Sequence, residues 1–349
     1  MLSRLMRFSR VKIGAFGYAL PDQIVTSEEL EARLAPVYDR FRLRVGRLEL
    51  MSGIAERRFW PEGTRPSEAA TLAGRDALER AGVDAGEVGL LIHAAVSRDM
   101  LEPATASFVH NALALPDGCI AHDVSNACLG VVNGMVDAAN RIELGQIDTA
   151  LVVAGEDGGP LVRETVAFLL EREALTKREL KDAFASLTIG SGAAAVLLRR
   201  TEPDDPEHRL LGGAALAATR HSELCQGDTA GAAGPLMETD SEALLLAGNE
   251  LAGRTFDRLL ANLEWTRDDI DRVVTHQVGS AHRRLLFETL ALDPARDFPT
   301  VGELGNIGSV SLPLTAARAI DAGFVKSGDT LAMLGIGSGL HSMMLGLRW

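Results

Sequence analysis

The 349-residue sequence predicts a layered α/β protein built from two copies of one βαβαβ unit. Short apolar runs typical of buried strands alternate with segments of helical periodicity, a pattern that favours layers of sheet and helix. The unit also repeats at a nearly constant spacing. The letters VGLLI at position 88 correspond to IDRVV at 270, an offset of 182, and DTAL at 148 corresponds to DTLA at 329, an offset of 181. We therefore expect two mixed, mostly parallel sheets.

Local patterns predict the elements of the first copy in chain order. Residues 11–17 form an apolar run that predicts a first strand, and Ser27 with two following acidic residues predicts a helix start. Ser67 and Gly82 are typical N-cap and C-cap residues of the alanine-rich helix between them. The other predicted elements are a buried strand over residues 88–96, a helix ending near Leu113, a helix after Cys128 and a strand over residues 149–154.

The repeat divides the chain into two halves, residues 1–205 and 206–349. LAGR occurs once in each half, at positions 72 and 251, within a helical segment that leads to a strand. The first half also carries an insertion at residues 158–187, where apolar residues recur at helical spacing before a charged run. A second irregular segment, residues 219–242, is rich in Gly and Ala and has no assigned role.

Composition and charge exclude several classes of function. The net charge of −13 argues against a nucleic-acid partner, because phosphate binding requires a basic face. Three cysteines are too few for a disulfide framework or a zinc site, and they suit a reducing compartment. The basic N-terminus lacks the apolar stretch of a signal peptide, and no apolar run approaches the length of a membrane span. We expect a cytoplasmic protein without a metal.

Cys128 is the leading candidate for a nucleophile. It lies in AHDVSNACLGVVNG, where the end of a predicted strand meets the start of a helix. Unpaired N–H groups and the macrodipole at a helix start favour an anion, so we expect the pKa of the thiol to be lowered. The small neighbours Ala127 and Gly130 leave room for a substrate to approach. The alternative is a buried structural cysteine.

The repeat offset relates Cys128 to two polar residues of the second copy. Position 128 corresponds to position 309, beside Asn306 in GNIGSVS, and position 94 corresponds to His276 at the end of a predicted strand. The three residues therefore lie at strand or helix ends near a pseudo-twofold axis, where α/β active sites form. Taken singly, His276 is typical of a structural histidine and Asn306 of a turn. Together, Cys, His and Asn suit nucleophilic acyl transfer.

Two other segments carry candidate substrate contacts. The turn GIGSGL contains Gly337, Ser338 and Gly339 but lacks the lysine of a P-loop, so we expect its backbone N–H groups to face an oxyanion. Arg57 and Arg58 are followed by two aromatic residues; paired arginines are usually solvated, but beside aromatics they also suit a nucleotide phosphate and base. Structural roles are expected for His93, His122, His221 and Cys225.

Four motifs together resemble the thiolase superfamily, and within it the 3-oxoacyl-ACP synthase III group. They are DVSNACLG around Cys128, THQV around His276, GNIGSVSLP around Asn306 and the C-terminal GIGSGL; GIAERRFW also resembles that group's N-terminal GIxxRR. The resemblance covers essentially the whole chain and implies a five-layered α-β-α-β-α thiolase fold and a homodimer. It implies that Cys128 is acylated, while His276 and Asn306 polarise a second thioester and stabilise its enolate. CoA thioesters are then the substrates, entering near Arg57 and Arg58, with no cofactor.

Glu102 departs from the synthase III pattern. It precedes Pro103 in SRDMLEPATAS, where the synthases usually carry an apolar or aromatic residue. A decarboxylating condensation makes its carbanion by losing CO2, whereas the condensation of two plain acyl thioesters needs a base for an α-proton. The string resembles the head-to-head condensing enzymes of long-chain olefin biosynthesis (OleA type), in which the matching Glu reaches the partner subunit's active site. The alternative roles for Glu102 are capping a helix and pairing with Arg98.

The sequence therefore predicts an acyltransferase of lipid biosynthesis that condenses two fatty acyl-CoAs, without decarboxylation, to a β-keto acid. The insertion at 158–187 is then an amphipathic cap over an acyl tunnel, or else a helix that covers core. The rival enzyme is a decarboxylating 3-oxoacyl-ACP synthase III that uses malonyl-ACP. A papain-like cysteine hydrolase has Cys, His and Asn in the same order, but its CGSCW-like signature is absent. A non-enzymatic binding module is the remaining alternative, but it would not need Cys128, His276 and Asn306.

Overall fold

The computed structural model describes residues 6–231 and 234–349. The first five residues of the basic N-terminal segment, and residues 232–233 of the irregular 219–242 segment, therefore lie outside the described part of the chain. The strands are β1 (Met6–Arg7), β2 (Val11–Ala19), β3 (Gln23–Thr26), β4 (Glu56–Phe59), β5 (Leu90–His93), β6 (Ile120–Asp123), β7 (Thr149–Glu156), β8 (Gly192–Arg200), β9 (Arg209–Ala217), β10 (Cys225–Gly231), β11 (Gly234–Thr239), β12 (Arg272–Thr275), β13 (Thr330–Gly337) and β14 (His341–Arg348).

The helices occupy the segments between these strands. They are α1 (Ser27–Arg33), α2 (Ala35–Phe41), α3 (Arg47–Ser52), α4 (Pro66–Ala81), α5 (Thr105–Ala112), α6 (Gly130–Glu143), α7 (Gly159–Glu171), α8 (Lys177–Ala183), α9 (Ser241–Leu263), α10 (Ser280–Leu290), α11 (Val301–Leu304) and α12 (Ser311–Asp321). Within the described ranges, no helix is both long enough and apolar enough to cross a membrane.

The main sheet repeats one strand order in each half of the chain. Its path is β12-β13-β14-β9-β2-β8-β7-β5-β6, with β1 paired to β9. Among the described strands, Lys12 with Arg209 is the only ladder pair between the first four strands of this path and the last five, so the path divides into two sheets there. In the second sheet β12, β13, β14 and β9 take the places of β5, β7, β8 and β2. This shared order agrees with the predicted duplication; the boundary at residue 205, between β8 and β9, stays a prediction.

The prediction of mostly parallel sheets is wrong. Among the strands of the described residues, the parallel pairs are β5 with β6, β5 with β7, and β12 with β13. The pairs β7–β8, β2–β8, β13–β14 and β14–β9 are antiparallel. In the second copy the reason is the connection, because β13 and β14 are joined by a tight turn and a tight turn permits only antiparallel pairing.

Three apolar clusters define the five predicted layers, which are confirmed. Residues of α4 and α5 pack on the outer face of the first sheet. Residues of α6 and α12 lie in the central cluster, between the two sheets. Residues of α9 and α10 cover the outer face of the second sheet. The alternation of strand side chains produces this arrangement: in β7, Val152 belongs to the central cluster and Val153 to the outer one.

The predicted helix over residues 67–81 is confirmed at its end and corrected at its start. Gly82 follows α4 in the left-handed region, with φ 61°. At the other end α4 begins at Pro66, so Ser67 is not the N-cap; proline suits the first helical position because its missing N–H would be unpaired there. Ser67 instead donates from N and Oγ to Asp99, at 2.9 and 2.6 Å. The strand predicted for residues 88–96 is also shorter, as β5.

The insertion at 158–187 contains α7 and α8, which cover an apolar cluster beside the first sheet. Val162 and Leu169 of α7 are buried there with residues of α1 and α2, and Val166 is partly buried. The helical spacing of apolar residues in the insertion is therefore explained by a helix that covers the core. A role for the insertion as a cap over an acyl tunnel stays a prediction.

Candidate active site

The candidate site lies where the carboxyl ends of strands from both sheets meet the first turns of α6 and α12. Leu129 contacts Gly335 near the end of β13, which brings the start of α6 to the second sheet. His276, directly after β12, donates its backbone N–H to Leu334 of β13 at 3.0 Å. The next residue, Gln277, donates its backbone N–H to Ser311 Oγ at the first residue of α12, at 2.9 Å. Both copies of the unit therefore contribute to one site.

Cys128 lies in a sharp elbow that leads into α6. Two backbone hydrogen bonds close this elbow: Leu129 N–H to the Asn126 carbonyl at 2.9 Å and Gly130 N–H to the Ala127 carbonyl at 3.2 Å. Ala127 has a φ of 44°, a left-handed conformation that is strained for alanine. A Cβ at Gly130 would lie 2.5 Å from the Ala94 carbonyl oxygen, so only glycine fits there. The elbow leaves Cys128 half-buried, two residues before α6 begins.

The expectation of a lowered thiol pKa at Cys128 is wrong. Burial, followed by the negative charge of Glu156, raises the pKa of the Cys128 thiol to about 12. Removal from water disfavours the charged thiolate. At neutral pH the resting side chain is therefore a thiol, and its proton must leave during acyl transfer.

This raised pKa predicts the pH dependence of Cys128 alkylation. Because only the thiolate reacts with iodoacetamide, the rate at Cys128 is expected to rise about tenfold per pH unit between pH 7 and 9, without a plateau. Peptide mapping by mass spectrometry separates Cys128 from Cys119 and Cys225. A plateau below pH 9 at Cys128 would show instead that the helix start lowers the pKa of this thiol.

The turn between β13 and β14 packs directly against the nucleophile. A Cβ at Gly337 would lie 3.4 Å from the backbone nitrogen of Cys128 and 3.2 Å from Leu129. Ser338 and Gly339 follow in the turn, and Gly339 adopts a φ of 115° that favours glycine. The structure therefore brings the predicted turn to Cys128. That its N–H groups stabilise an oxyanion stays a prediction.

His276 is a buried and neutral imidazole. Its side chain is 3% exposed, and Nδ1 has no hydrogen-bond partner among the described residues. Burial, followed by the nearby His282, lowers the pKa of His276 to about 3. A neutral imidazole has one N–H to donate and one nitrogen to accept a proton. Gln277 fixes this segment, since its Oε1 accepts the N–H groups of Thr300 and Val301, each at 3.3 Å.

Asn306 is held by its backbone and oriented by its side-chain oxygen. Its N–H donates to the Thr188 carbonyl, and its own carbonyl accepts from Gly190, both at 2.9 Å. Its Oδ1 accepts the N–H of Gly308 at 3.1 Å. Because that bond fixes the amide plane, the Nδ2 group is available as a hydrogen-bond donor. Gly305 makes the approach possible, since a Cβ there would lie 2.6 Å from the Thr188 carbonyl oxygen.

Glu102 lies at the exposed tip of an anchored loop, residues 96–104. Its neighbour Leu101 is 95% exposed, and Glu102 and Pro103 are exposed as well. The alternative that Glu102 caps α5 does not hold, because Asp123 accepts the first two N–H groups of that helix, each at 2.8 Å. Within residues 6–231 and 234–349, Glu102 forms no ion pair with Arg98. In a single subunit the Glu102 carboxylate therefore faces solvent rather than an apolar tunnel.

The two arginines predicted to meet the CoA moiety differ in position, and the expectation for Arg57 needs correction. Arg57 is fully buried, and its guanidinium donates to Ser27 Oγ at 3.0 Å and to the Leu187 carbonyl at 3.3 Å. Burial lowers the pKa of Arg57 to about 10. It therefore ties β4 to the insertion and presents no charge to an entering phosphate. Arg58 is half-buried and donates to the Pro21 carbonyl at 3.1 Å; its role in CoA binding stays a prediction.

Local patterns in the sequence do not single out Glu156, and they give Ser309 no role beyond its correspondence to Cys128. Glu156 ends β7, is 6% exposed, and accepts hydrogen bonds from Val96, Ser97 and Ser309. The repeat contained the signal: offset by 181, Glu156 corresponds to Gly337 and Ser309 corresponds to Cys128. The first copy thus has the carboxylate of Glu156 where the second copy has Gly337. Only the alignment of the two copies reveals this difference, because local patterns do not.

Comparisons with known proteins match the chain to condensing enzymes of the thiolase superfamily. Residues 60–182 match the family model of the thiolase N-terminal domain, and residues 260–349 match that of the 3-oxoacyl-[acyl-carrier-protein (ACP)] synthase III C terminal. The chain is 42% identical to an acyl-CoA:acyl-CoA alkyltransferase of Shewanella oneidensis, covering 99% of this chain and 100% of that protein. It is 32% identical to a beta-ketoacyl-[acyl-carrier-protein] synthase III of Rhizorhabdus wittichii, covering 93% and 94%.

A solved structure with the same fold supports this relationship. The fold matches a cysteine-to-serine variant of Xanthomonas campestris OleA with bound lauric acid and lauroyl-CoA, at a TM-score of 0.92 and 38% identity. The match covers 98% of this chain and 100% of that one.

Proposed function

The chain belongs to the acyl-CoA:acyl-CoA alkyltransferase family of the thiolase superfamily, and from this premise we propose that it condenses two fatty acyl-CoAs to a β-keto acid. The observation that carries the proposal is the 42% identity, over 99% of the chain, to a protein of that name. The reaction needs a nucleophile, an oxyanion site and a base for an α-proton. We assign these roles to Cys128, to His276 with Asn306, and to Glu102.

In the first half-reaction Cys128 becomes acylated. Its Sγ attacks the thioester carbonyl of one acyl-CoA, an Sγ–C bond forms, the C–S bond to CoA breaks, and CoA leaves with the thiol proton. The backbone N–H groups near Gly337 support the tetrahedral oxyanion.

In the second half-reaction the carbanion comes from deprotonation. Glu102 takes an α-proton from the second acyl-CoA, while His276 and Asn306 donate hydrogen bonds to the oxygen of the enolate. The enolate carbon attacks the acyl carbonyl on Cys128, so a C–C bond forms, the Sγ–C bond breaks and the thiolate recovers a proton. Hydrolysis of the β-ketoacyl-CoA then yields the β-keto acid and free CoA. Side chains and thioesters supply each step, so we propose no resident cofactor.

We propose that the active enzyme is a homodimer in which Glu102 completes the partner's site. An exposed carboxylate beside exposed apolar side chains is an arrangement that burial against a second subunit would explain. Leu101 and Val96 of the same loop are 95% and 55% exposed. The edge strand β6 also exposes Ile120, and an unpaired strand edge of this kind suits pairing with a second copy. The three free cysteines support a cytoplasmic location.

Replacing Asn306 is expected to separate the two half-reactions. Asn306→Ala removes a donor to the enolate oxygen and leaves Cys128 in place. Condensation is expected to fall about 10²–10³-fold, the scale for one lost oxyanion donor, while acylation of Cys128 stays near the parent rate. Intact-protein mass spectrometry measures the acyl-enzyme, and product analysis measures condensation. Loss of acylation in a folded Asn306→Ala protein would contradict this division of roles.

The rival candidate is a decarboxylating synthase III that extends an acyl group with malonyl-ACP. The 32% identity to a beta-ketoacyl-[acyl-carrier-protein] synthase III keeps this activity worth testing. The test is incubation with a panel of single acyl-CoAs, each with and without malonyl-ACP. Product formed from acyl-CoA alone supports condensation of two acyl groups, and an absolute requirement for malonyl-ACP supports the rival.

A further inference from the structure

The buried carboxylate of Glu156 joins two segments that carry proposed active-site residues. Glu156 ends β7, and its Oε1 and Oε2 accept the backbone N–H groups of Val96 and Ser97, both at 3.0 Å. Its Oε1 also accepts Ser309 Oγ at 2.5 Å and Ser309 N–H at 3.3 Å. Burying a carboxylate is unfavourable unless donors replace its water, and these four uncharged donors do so.

Each segment leads within a few residues to a group proposed for the second half-reaction. Val96 and Ser97 begin the loop that reaches Glu102, and Ser97 Oγ also accepts the N–H of Asp157 at 3.0 Å. Ser309 follows Asn306 by three residues in the same short segment, whose Gly308 N–H orients the Asn306 amide. One carboxylate therefore lies between the base-carrying loop and the segment that carries the oxyanion donor.

Comparison of the two copies indicates that this carboxylate is specific to one of them. At the repeat offset of 181, Ala127 and Cys128 correspond to Gly308 and Ser309. Ala127 and Gly308 share a left-handed backbone, with φ of 44° and 59°, so the two elbows are alike. Opposite Cys128 the second copy has Gly337, which leaves room at the nucleophile. Opposite Ser309 the first copy has Glu156. Its side chain fills the corresponding space and accepts hydrogen bonds from the serine.

We propose that Glu156 is a positioning residue that fixes the Glu102-bearing loop relative to the Asn306-bearing segment and thereby sets the geometry of the second half-reaction. The inference rests on the proposed function, and it assigns Glu156 no contact with substrate. Cys128 is held by its own elbow and by the Gly337 turn, so this link does not set its position. Glu156 affects Cys128 through its negative charge, which raises the pKa of the thiol.

The test is Glu156→Gln in the full-length enzyme. The amide keeps the size of the carboxylate but replaces one acceptor oxygen with an NH2 group, which then faces a backbone N–H donor. Displacing a reacting group by about 1 Å costs on the order of 10²-fold, so condensation kcat and α-proton exchange in deuterated water are expected to fall about 10–100-fold. KM is expected to stay within about threefold. The rate of Cys128 acylation is not expected to fall, because losing the Glu156 charge removes one cause of the raised thiol pKa.

Glu143→Gln is the matched control. The Glu143 carboxylate accepts the same kinds of donor, the N–H groups of Ser9 and Arg10 and the Ser9 hydroxyl. It lies at the last residue of α6, roughly 20 Å from the start of that helix at 1.5 Å per residue. This variant is expected to keep both half-reactions at the parent rate.

Two results with Glu156→Gln would overturn the inference: condensation within twofold of the parent, or acylation and condensation reduced by the same factor. If this variant does not fold, Ser309→Ala replaces it, because it removes one donor and keeps the carboxylate. A loss of about 3–10-fold in condensation alone is then expected, and an equal loss in both half-reactions overturns the inference. A parent enzyme that makes no β-keto acid from acyl-CoA alone overturns the proposed function instead, and with it the basis of this inference.

Discussion

Cys128→Ser is expected to abolish the covalent acyl-enzyme and to lower condensation by roughly 10⁴-fold or more, the scale for loss of a covalent nucleophile. Serine fits the elbow because Ala127 and Gly130 fix the backbone there independently of the side chain at 128. Its hydroxyl is a far weaker nucleophile than a thiol, and a base strong enough to deprotonate it is not part of the proposed site. Intact-protein mass spectrometry after incubation with an acyl-CoA measures the adduct.

The other two cysteines supply the controls for this result. Cys119 is buried and Cys225 is half-buried, so both remain in Cys128→Ser protein as internal reporters. Cys225 is the stricter control, because it is close enough to Cys128 for its charge to raise the pKa of that thiol. Cys225→Ser is expected to keep the acyl-enzyme. An acyl group found on Cys225 or Cys119, rather than on Cys128, would contradict the assignment of the nucleophile.

The second large effect is expected for Glu102→Ala. Loss of a positioned general base should lower condensation by about 10²–10⁴-fold, while acylation of Cys128 continues at the parent rate. Exchange of the α-protons of bound acyl-CoA with deuterated water should fall with condensation, because both need the same proton transfer. Folding is not expected to change, since Glu102 is exposed and its loop is anchored elsewhere by Asp99 and Asp123. Asp117→Asn, which neutralises another exposed carboxylate, is the matched control.

Mixed dimers test whether Glu102 acts in the partner subunit. A dimer of one Cys128→Ser subunit and one Glu102→Ala subunit contains one complete site if Glu102 crosses the interface, and none if it acts within its own subunit. Random mixing of the two variants should therefore restore about a quarter of the parent activity. Condensation at the parent rate by Glu102→Ala itself would leave Glu102 as a structural residue and favour the decarboxylating alternative.

The repeat in the sequence predicted the layers, and it also predicts that Cys128, His276 and Asn306 lie close together. An offset conserved across separate elements is a global signal, so it relates His276 and Asn306 to Cys128 although they are far apart in the chain. Strand direction was not predictable in the same way. The direction in which β13 pairs with β14 depends on the length of the turn between them. The alternation of helices and strands in the sequence predicts the layers but not the direction of each strand.

Long-range burial explains the corrections at Arg57 and at the Cys128 thiol. Arg57 is enclosed partly by Leu187, which lies 130 positions later in the insertion, and no local pattern around GIAERRFW contains that contact. The thiol pKa depends on how completely the surrounding elements exclude water, whereas the sequence showed only the favourable helix start. No local pattern singles out Glu156 either, since its four donors come from two segments distant from it in sequence.

The most direct test of the proposed condensation uses one acyl-CoA labelled with ¹³C at its carbonyl carbon, with no malonyl thioester present. The product is trapped as an ester before it can lose CO2 and is analysed by mass spectrometry together with the released CoA. Condensation of two acyl groups predicts a β-keto acid with twice the carbon number of the substrate, both labelled carbons retained and two CoA released per product. No product without malonyl-ACP, and a single labelled carbon in the product formed with it, would contradict that reaction.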